Sequence, residues 1–161
     1  MTVDTRNLTP RFVDGDAMRV IGLMETYTDE TMDQVADQWS RFLQRVEGVR
    51  GQIDGSKFGI GYDAGQSPFR LDYLTGVMVS EDAPLPRGFV ERRIAPTRHA
   101  VFTYEGHISC MRPLFDAIFK DWLPRSGCRL TGSPLFVEVY GRSFDPKTGS
   151  GTVDIWLPIR T

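Results

Sequence analysis

Glu138 is the residue with the most chemistry to offer. It lies in LFVEVYG (135–141), a run whose other side chains suit a β-strand. Side chains alternate along a strand, so Phe136, Glu138 and Tyr140 share one face and Leu135, Val137 and Val139 the other. A carboxylate flanked by aromatic rings can neutralise an organic cation while the rings hold its flat body. Where apolar walls raise its pKa, it can also act as general base on a water. The plain alternative is a solvated carboxylate on an open sheet face, paired with an arginine, and the sequence leaves both open.

Other reactive side chains are sparse. Tyr104 and Tyr140 could each donate a hydrogen bond to charge developing near Glu138, and Asp154 is the candidate second acid. Cys110 and Cys128 stand without a second Cys/His cluster at zinc spacing, so no metal or cofactor is expected. Cys110 with His107 would suit a thiol hydrolase, but the pair sits where a helix begins and reads as structural. Net charge is -2 with a pI near 5.7, and no concentrated basic surface is expected, which argues against direct nucleic-acid binding. The opening MTVDTRNLTPRFVDGD is acidic and lacks an apolar core, unlike a signal peptide. No apolar run reaches the roughly 18 residues of a membrane span. The expectation is a cytoplasmic protein with no membrane partner.

The elements that would position these residues repeat. Met32, Val35, Trp39, Phe42, Leu43 and Val46 form the stripe of an amphipathic helix between 28 and 46. Ile108, Met111, Phe115, Ile118, Phe119 and Trp122 repeat the stripe, with Pro124 and Gly127 as stops. Strands are predicted at 18–28 and 98–106 before the helices. After them come 58–63 with 69–80, and 136–141 with 150–159. The fold class is α+β: a duplicated β-α-β-β unit with pseudo-twofold symmetry, a mostly antiparallel sheet, two main helices and a central cleft. One domain, 1–161, would hold pseudo-repeats at about 18–80 and 98–160, linked by 81–97, where GFVERRIA reads as a linking strand. Aligning FGIGYD on FVEVYG sets Glu138 in the place of Ile60. On that alignment Val153, Ile155 and Leu157 join Leu135, Val137 and Val139 under the helices. The other face then carries Phe58, Ile60, Tyr62, Leu71, Tyr73, Phe136, Glu138, Tyr140, Thr152, Asp154 and Trp156, and lines the cleft.

Three stretches carry a family resemblance: VFTYEG (101–106), IFKDWLPRSG (118–127) followed by Pro134 and EVY (138–140), and VDIWLPI (153–159). With them the chain resembles, from about residue 9 onward, the GyrI-like domain. That domain is the effector-binding part of AraC- and MerR-type multidrug regulators of bacteria and has a SOUL-like fold. Val137 stands where the family has Phe, and Cys128 where an aromatic is usual. The resemblance implies a drug-binding cleft between the halves. Glu138 maps onto the cleft glutamate, and Tyr62, Tyr73, Tyr140 and Trp156, with Phe136, Trp39 and Phe119, map onto its walls. About ten residues precede the first strand, too few for a helix-turn-helix, so DNA binding in the same chain is not expected.

Three functions follow as expectations. The first is a stand-alone effector-binding protein for small amphipathic, cationic or aromatic molecules, related to transcription regulation, with a homodimer or a protein partner as the two ways it could pass the signal on. The second is a hydrolase of strained cyclopropanoid electrophiles, with Glu138 as general base and Tyr104 or Tyr140 assisting. The third, implied by the resemblance, is a gyrase-inhibitor type of protein. Haem binding through His99 is also implied by the SOUL-like fold, although a lone strand histidine reads as structural.

Overall fold

Antiparallel pairing joins both halves of the chain into one sheet in the computed structural model, which describes residues 8–160. The strands are β1 (Arg11–Gly15), β2 (Met18–Tyr27), β3 (Gln52–Gln66), β4 (Phe69–Val79), β5 (Val90–Ile94), β6 (Thr97–His107), β7 (Arg129–Leu130), β8 (Phe136–Tyr140) and β9 (Ser150–Arg160). Their order is β1-β6-β9-β8-β3-β4-β2-β5, with β7 on β9. The order is symmetric about the central pair. β6-β9-β8 on one side answers β2-β4-β3 on the other, with β3 and β8 meeting in the middle. The flanking strands are exchanged: β1 precedes β2 but pairs β6, and β5 precedes β6 but pairs β2.

The first stripe forms α1 (Val35–Leu43), with Asp37 in its first turn and Arg41 in its last, each suited to the helix dipole. The second helix runs in three pieces: α2 (Arg112–Asp116), a π-helical turn (Ala117–Trp122) and α3 (Leu123–Ser126). Pro124 was expected to stop this helix, yet it lies in the first turn of α3. The wide turn before it absorbs the missing N–H, a common use of such turns. The helix ends instead at Gly127, whose left-handed φ of 75° suits glycine.

Both helices lie on one face of the sheet, here the front. Met111, Leu114, Ile118 and Trp122 pack with Ala100, Phe102, Ile155 and Leu157. Phe42 of α1 packs with Ile21, Val77 and Phe89. The back face is buried too, around Val20, Phe58, Ile60, Leu74, Ile94 and Val137, because the sheet curls on itself. Burying each such side chain contributes about 1.5–3 kcal/mol, so two-sided burial gives a chain of this size a sufficient core.

Register corrects the expected faces. Glu138 pairs Ile155 on one side and Gly59 on the other, so it shares the front with Val153, Ile155 and Leu157. Val137 pairs Ile60 and Trp156 and points to the back with them. Aligning the half-repeats one residue out had turned β3 over relative to β8, and a one-residue slip exchanges every side chain between faces.

Candidate functional site

Glu138 enters the front layer from the middle of β8, at the seam between the halves. Gly59 opposite it has no side chain, and a Cβ there would run into Tyr73 Oη and Glu138 Oε1. Gly61 likewise makes room for the Phe136 ring. The G-x-G of FGIGYD thus has a packing reason: the backbone passes directly beneath the carboxylate and the ring.

Two phenols converge on one oxygen. Tyr73, from β4, donates to Glu138 Oε1 at 2.5 Å, and Tyr140 donates to the same atom at 3.1 Å. Trp39 of α1 donates from Nε1 to Tyr73 Oη at 3.1 Å. Oε2 accepts no hydrogen bond from any described residue. Trp39 and Tyr140 meet edge to face with centroids 5.0 Å apart, and Tyr140 meets Phe144 similarly at 4.9 Å. Phe136 meets Phe115, which stacks on Phe119.

Glu138 is 7% exposed. Burial pushes its pKa up to about 7, against the lowering effect of the two phenol hydrogen bonds. The phenols of Tyr73 and Tyr140 are raised well above their ordinary value, first by burial and then by the neighbouring carboxylate. They therefore remain protonated donors through the neutral range in which Glu138 changes its charge.

A cavity of about 240 Å³ lies on the outer side of Trp39 and Tyr140, lined also by Leu43, Lys57, Ile108 and Phe144. Glu138 is not among its lining residues, so the two rings stand between carboxylate and cavity. A shallower depression of about 550 Å³, lined by Asp14, Thr97, Arg98 and Arg160, lies at the far end of β6 and β9, away from this chemistry.

Of the residues singled out from sequence, the fold brings Glu138, Tyr73, Tyr140, Trp39, Phe136 and Phe119 to the front layer. It takes others away. Tyr62 and Trp156 pack in the back cluster, on the opposite face from Glu138, and Trp156 meets His99 edge to face at 5.0 Å. Asp154 points to the back as well, held by Arg11 at 3.0 Å and Thr103 at 2.8 Å, so it cannot serve as a second acid beside Glu138. Tyr104 is on the front, but its hydroxyl donates to His107 O at 2.6 Å and so holds a turn. Among the described residues no group of three or more His, Cys, Asp or Glu could hold a metal ion.

One organising residue escaped sequence reasoning. Gln38 is fully buried on α1; its Oε1 accepts from Tyr27 Oη at 2.6 Å and its Nε2 donates to Leu23 O and Tyr73 O, both at 2.9 Å. It fastens α1 to the strand that carries Tyr73. The signal was its spacing: Val35, Gln38 and Phe42 lie on one stripe, where an uncharged polar residue implies a buried partner.

Comparison with known proteins agrees with this architecture. BrlR of Pseudomonas aeruginosa, a transcriptional regulator, is 30% identical over 155 residues; the match takes in 96% of this chain and 56% of BrlR. The structure of SAV2435 bound to tetraphenylphosphonium superposes with a TM-score of 0.77 at 16% identity, covering 95% of this chain and 94% of that one. A putative bacterial transcription regulation protein from Staphylococcus aureus MU50 superposes with a TM-score of 0.71 at 15% identity, over 96% and 100% of the two chains. At such identities these two superpositions speak for the fold alone. The GyrI-like small-molecule-binding domain matches residues 8–160, and the chain therefore belongs to that family.

Proposed function

We propose that this protein binds small amphipathic or aromatic cations in the front cleft, with Glu138 as counter-charge and Trp39, Tyr73, Tyr140 and Phe136 as walls. The observation that carries this reading is the unequal use of the carboxylate. Both phenols bond Oε1, while Oε2 has no partner among the described residues and is not among the fully buried unpartnered atoms, so it opens outward beside the aromatic rings. A largely desolvated carboxylate with one oxygen held by phenols and the other open favours a ligand able to supply positive charge there. On this reading the half-buried rings of Trp39 and Tyr140 turn outward when a ligand enters, giving up their hydrogen bonds to Tyr73 and Glu138 and joining the cavity beyond them to the carboxylate. SAV2435, with the same fold, is bound to a lipophilic cation, which supports the ligand class.

The test is titration with tetraphenylphosphonium and with neutral triphenylphosphine oxide at pH 8, followed by tryptophan fluorescence. The expected result is that Glu138→Gln weakens the cation by about 10-fold or more, the loss of roughly one charge-assisted contact, and leaves the neutral compound unchanged. Equal cation affinity in the two proteins would remove Glu138 from the binding reading.

A second reading, hydrolysis of a strained electrophile, has one observation in its favour. A carboxyl titrating at about 7 is well placed to act as general base at neutral pH. Its partners would be Tyr73 and Tyr140. A product heavier than the substrate by one water supports this reading; stoichiometric binding without product removes it.

A further inference from the structure

We propose that the cleft is a two-charge site selecting aromatic zwitterions, with Lys57 in the outer cavity binding the anionic end of a ligand whose cationic end meets Glu138. This rests on the cleft reading above and names the ligand class more narrowly.

Three observations support it. Lys57 stands directly across the ladder from Tyr140, so its side chain rises on the front face beside that ring. It lines the 240 Å³ cavity together with apolar and aromatic groups: Trp39, Leu43, Ile108 and Phe144. It makes no ion pair or hydrogen bond with any described residue, although it is half-buried. Three exposed arginines, Arg11, Arg41 and Arg93, by contrast each hold a carboxylate.

Tyr140 therefore has a carboxylate at its hydroxyl and an unpaired ammonium at its ladder partner. A purely cationic ligand reaching through the cavity to Glu138 would carry its charge past Lys57 and be opposed by it. A ligand with a carboxylate on its outer end would be held at both. An ammonium set against apolar walls gains more from such a partner than one in open water, because screening is reduced. The cavity is the size of one or two rings, below the usual range for a whole ligand site, which suits an outer chamber for one end of a longer molecule.

Rhodamine B and its ethyl ester share one xanthylium cation and differ in a free carboxylate, which makes them the probes. Fluorescence anisotropy at pH 8 is read on wild type, Lys57→Met and Glu138→Gln, with circular dichroism confirming the fold of each. The wild type is expected to prefer rhodamine B by about 3- to 5-fold, the range of a partly screened ion pair. Lys57→Met should abolish the preference by losing rhodamine B and keeping the ester. An unchanged ratio in Lys57→Met, or a wild-type preference for the ester, overturns the role of Lys57. If Glu138→Gln weakens the ester in that same experiment, the cleft reading survives that failure. If Glu138→Gln leaves the ester untouched, or neither dye binds wild type, the cleft reading falls and the two-charge site falls with it.

Discussion

Tyr73 and Glu138 lie 65 residues apart in the chain and meet at 2.5 Å across the seam of the two halves. One comes from β4 and the other from β8, and only the glycine backbone of β3 runs between them. The contact couples the charge of Glu138 to the packing of both halves.

The coupling has a pH signature. The native pKa of Glu138 is about 7, while an unfolded glutamate titrates near 4.5. Between those values the unfolded chain gives up the proton and the native protein keeps it. Stability from this group is complete below about pH 4.5, falls as pH rises to about 7, and is then level. Glu138→Gln removes the loss. The variant should match wild type near pH 4.5 and exceed it by up to roughly 3 kcal/mol above pH 7.5. Urea denaturation at pH 4.5, 6 and 8 reads this directly, and a pH-independent difference would mean that Glu138 is not buried as described.

Tyr73→Phe acts in the opposite sense on ligand binding. The phenol hydrogen bonds stabilise the ionised carboxylate and lower its pKa. Removing the shorter one should move the midpoint for cation binding to higher pH, with affinity at pH 9 much less affected than affinity at pH 7. Trp39 Nε1 loses its acceptor in the same variant. Tetraphenylphosphonium titrations across pH 6 to 9 would expose a failure as an unmoved midpoint.

How much of this was legible in the sequence depends on the kind of signal. The helix stripes were plain: Trp39 and Phe42, Ile118 and Trp122 announce their helices by spacing, and the strands fall where the β-formers run. The resemblance singled out Glu138, which the structure sets on β8 at the seam between the halves. The faces were not legible, because the FGIGYD and FVEVYG segments were aligned by their aromatic ends. That put Ile60 in the place of Glu138 and brought Tyr62 and Trp156 to the same side. In the sheet the carboxylate faces Gly59, which no hydrophobic pattern marks. β1 is not legible, because RFVDG is short, carries Arg11 and Asp14, and is held by pairing with β6 from the other half of the chain.

Gln38 is expected to carry a large share of the site's rigidity. Replacing it with Leu leaves Tyr27 Oη and the carbonyls of Leu23 and Tyr73 without this partner. Each buried orphan costs about 1–3 kcal/mol, so Gln38→Leu should lower stability by at least ~2 kcal/mol despite similar volume. Gln38→Glu should fare no better, since it trades the Nε2 donor for a buried charge. A urea midpoint shift of less than a few tenths of a molar in both would show that α1 is held by its apolar stripe alone.

His99 supplies the opposing pH dependence from the back of the sheet. It is 0% exposed, and among the described residues neither ring nitrogen makes a well-formed hydrogen bond, the Thr97 backbone being the polar group that acts on it. Its ring is packed against Trp156 and under Gly15, where a Cβ would come within 3.0 Å of it. Burial lowers its pKa, against an opposite pull from the Thr97 backbone. The unfolded chain then takes up the proton first as pH falls below an ordinary histidine pKa of about 6.5. Stability attributable to His99 is complete above that value and is lost as pH drops through the lowered native pKa. His99→Leu keeps an apolar filling and should flatten this acid limb, leaving the Glu138 limb between about pH 4.5 and 7 in isolation. In the double variant with Glu138→Gln, the curve between pH 5 and 8 should be nearly flat, because the two groups lie on opposite faces of the sheet and their effects should add. A persistent acid limb in His99→Leu would assign it to surface carboxylates instead of the buried ring.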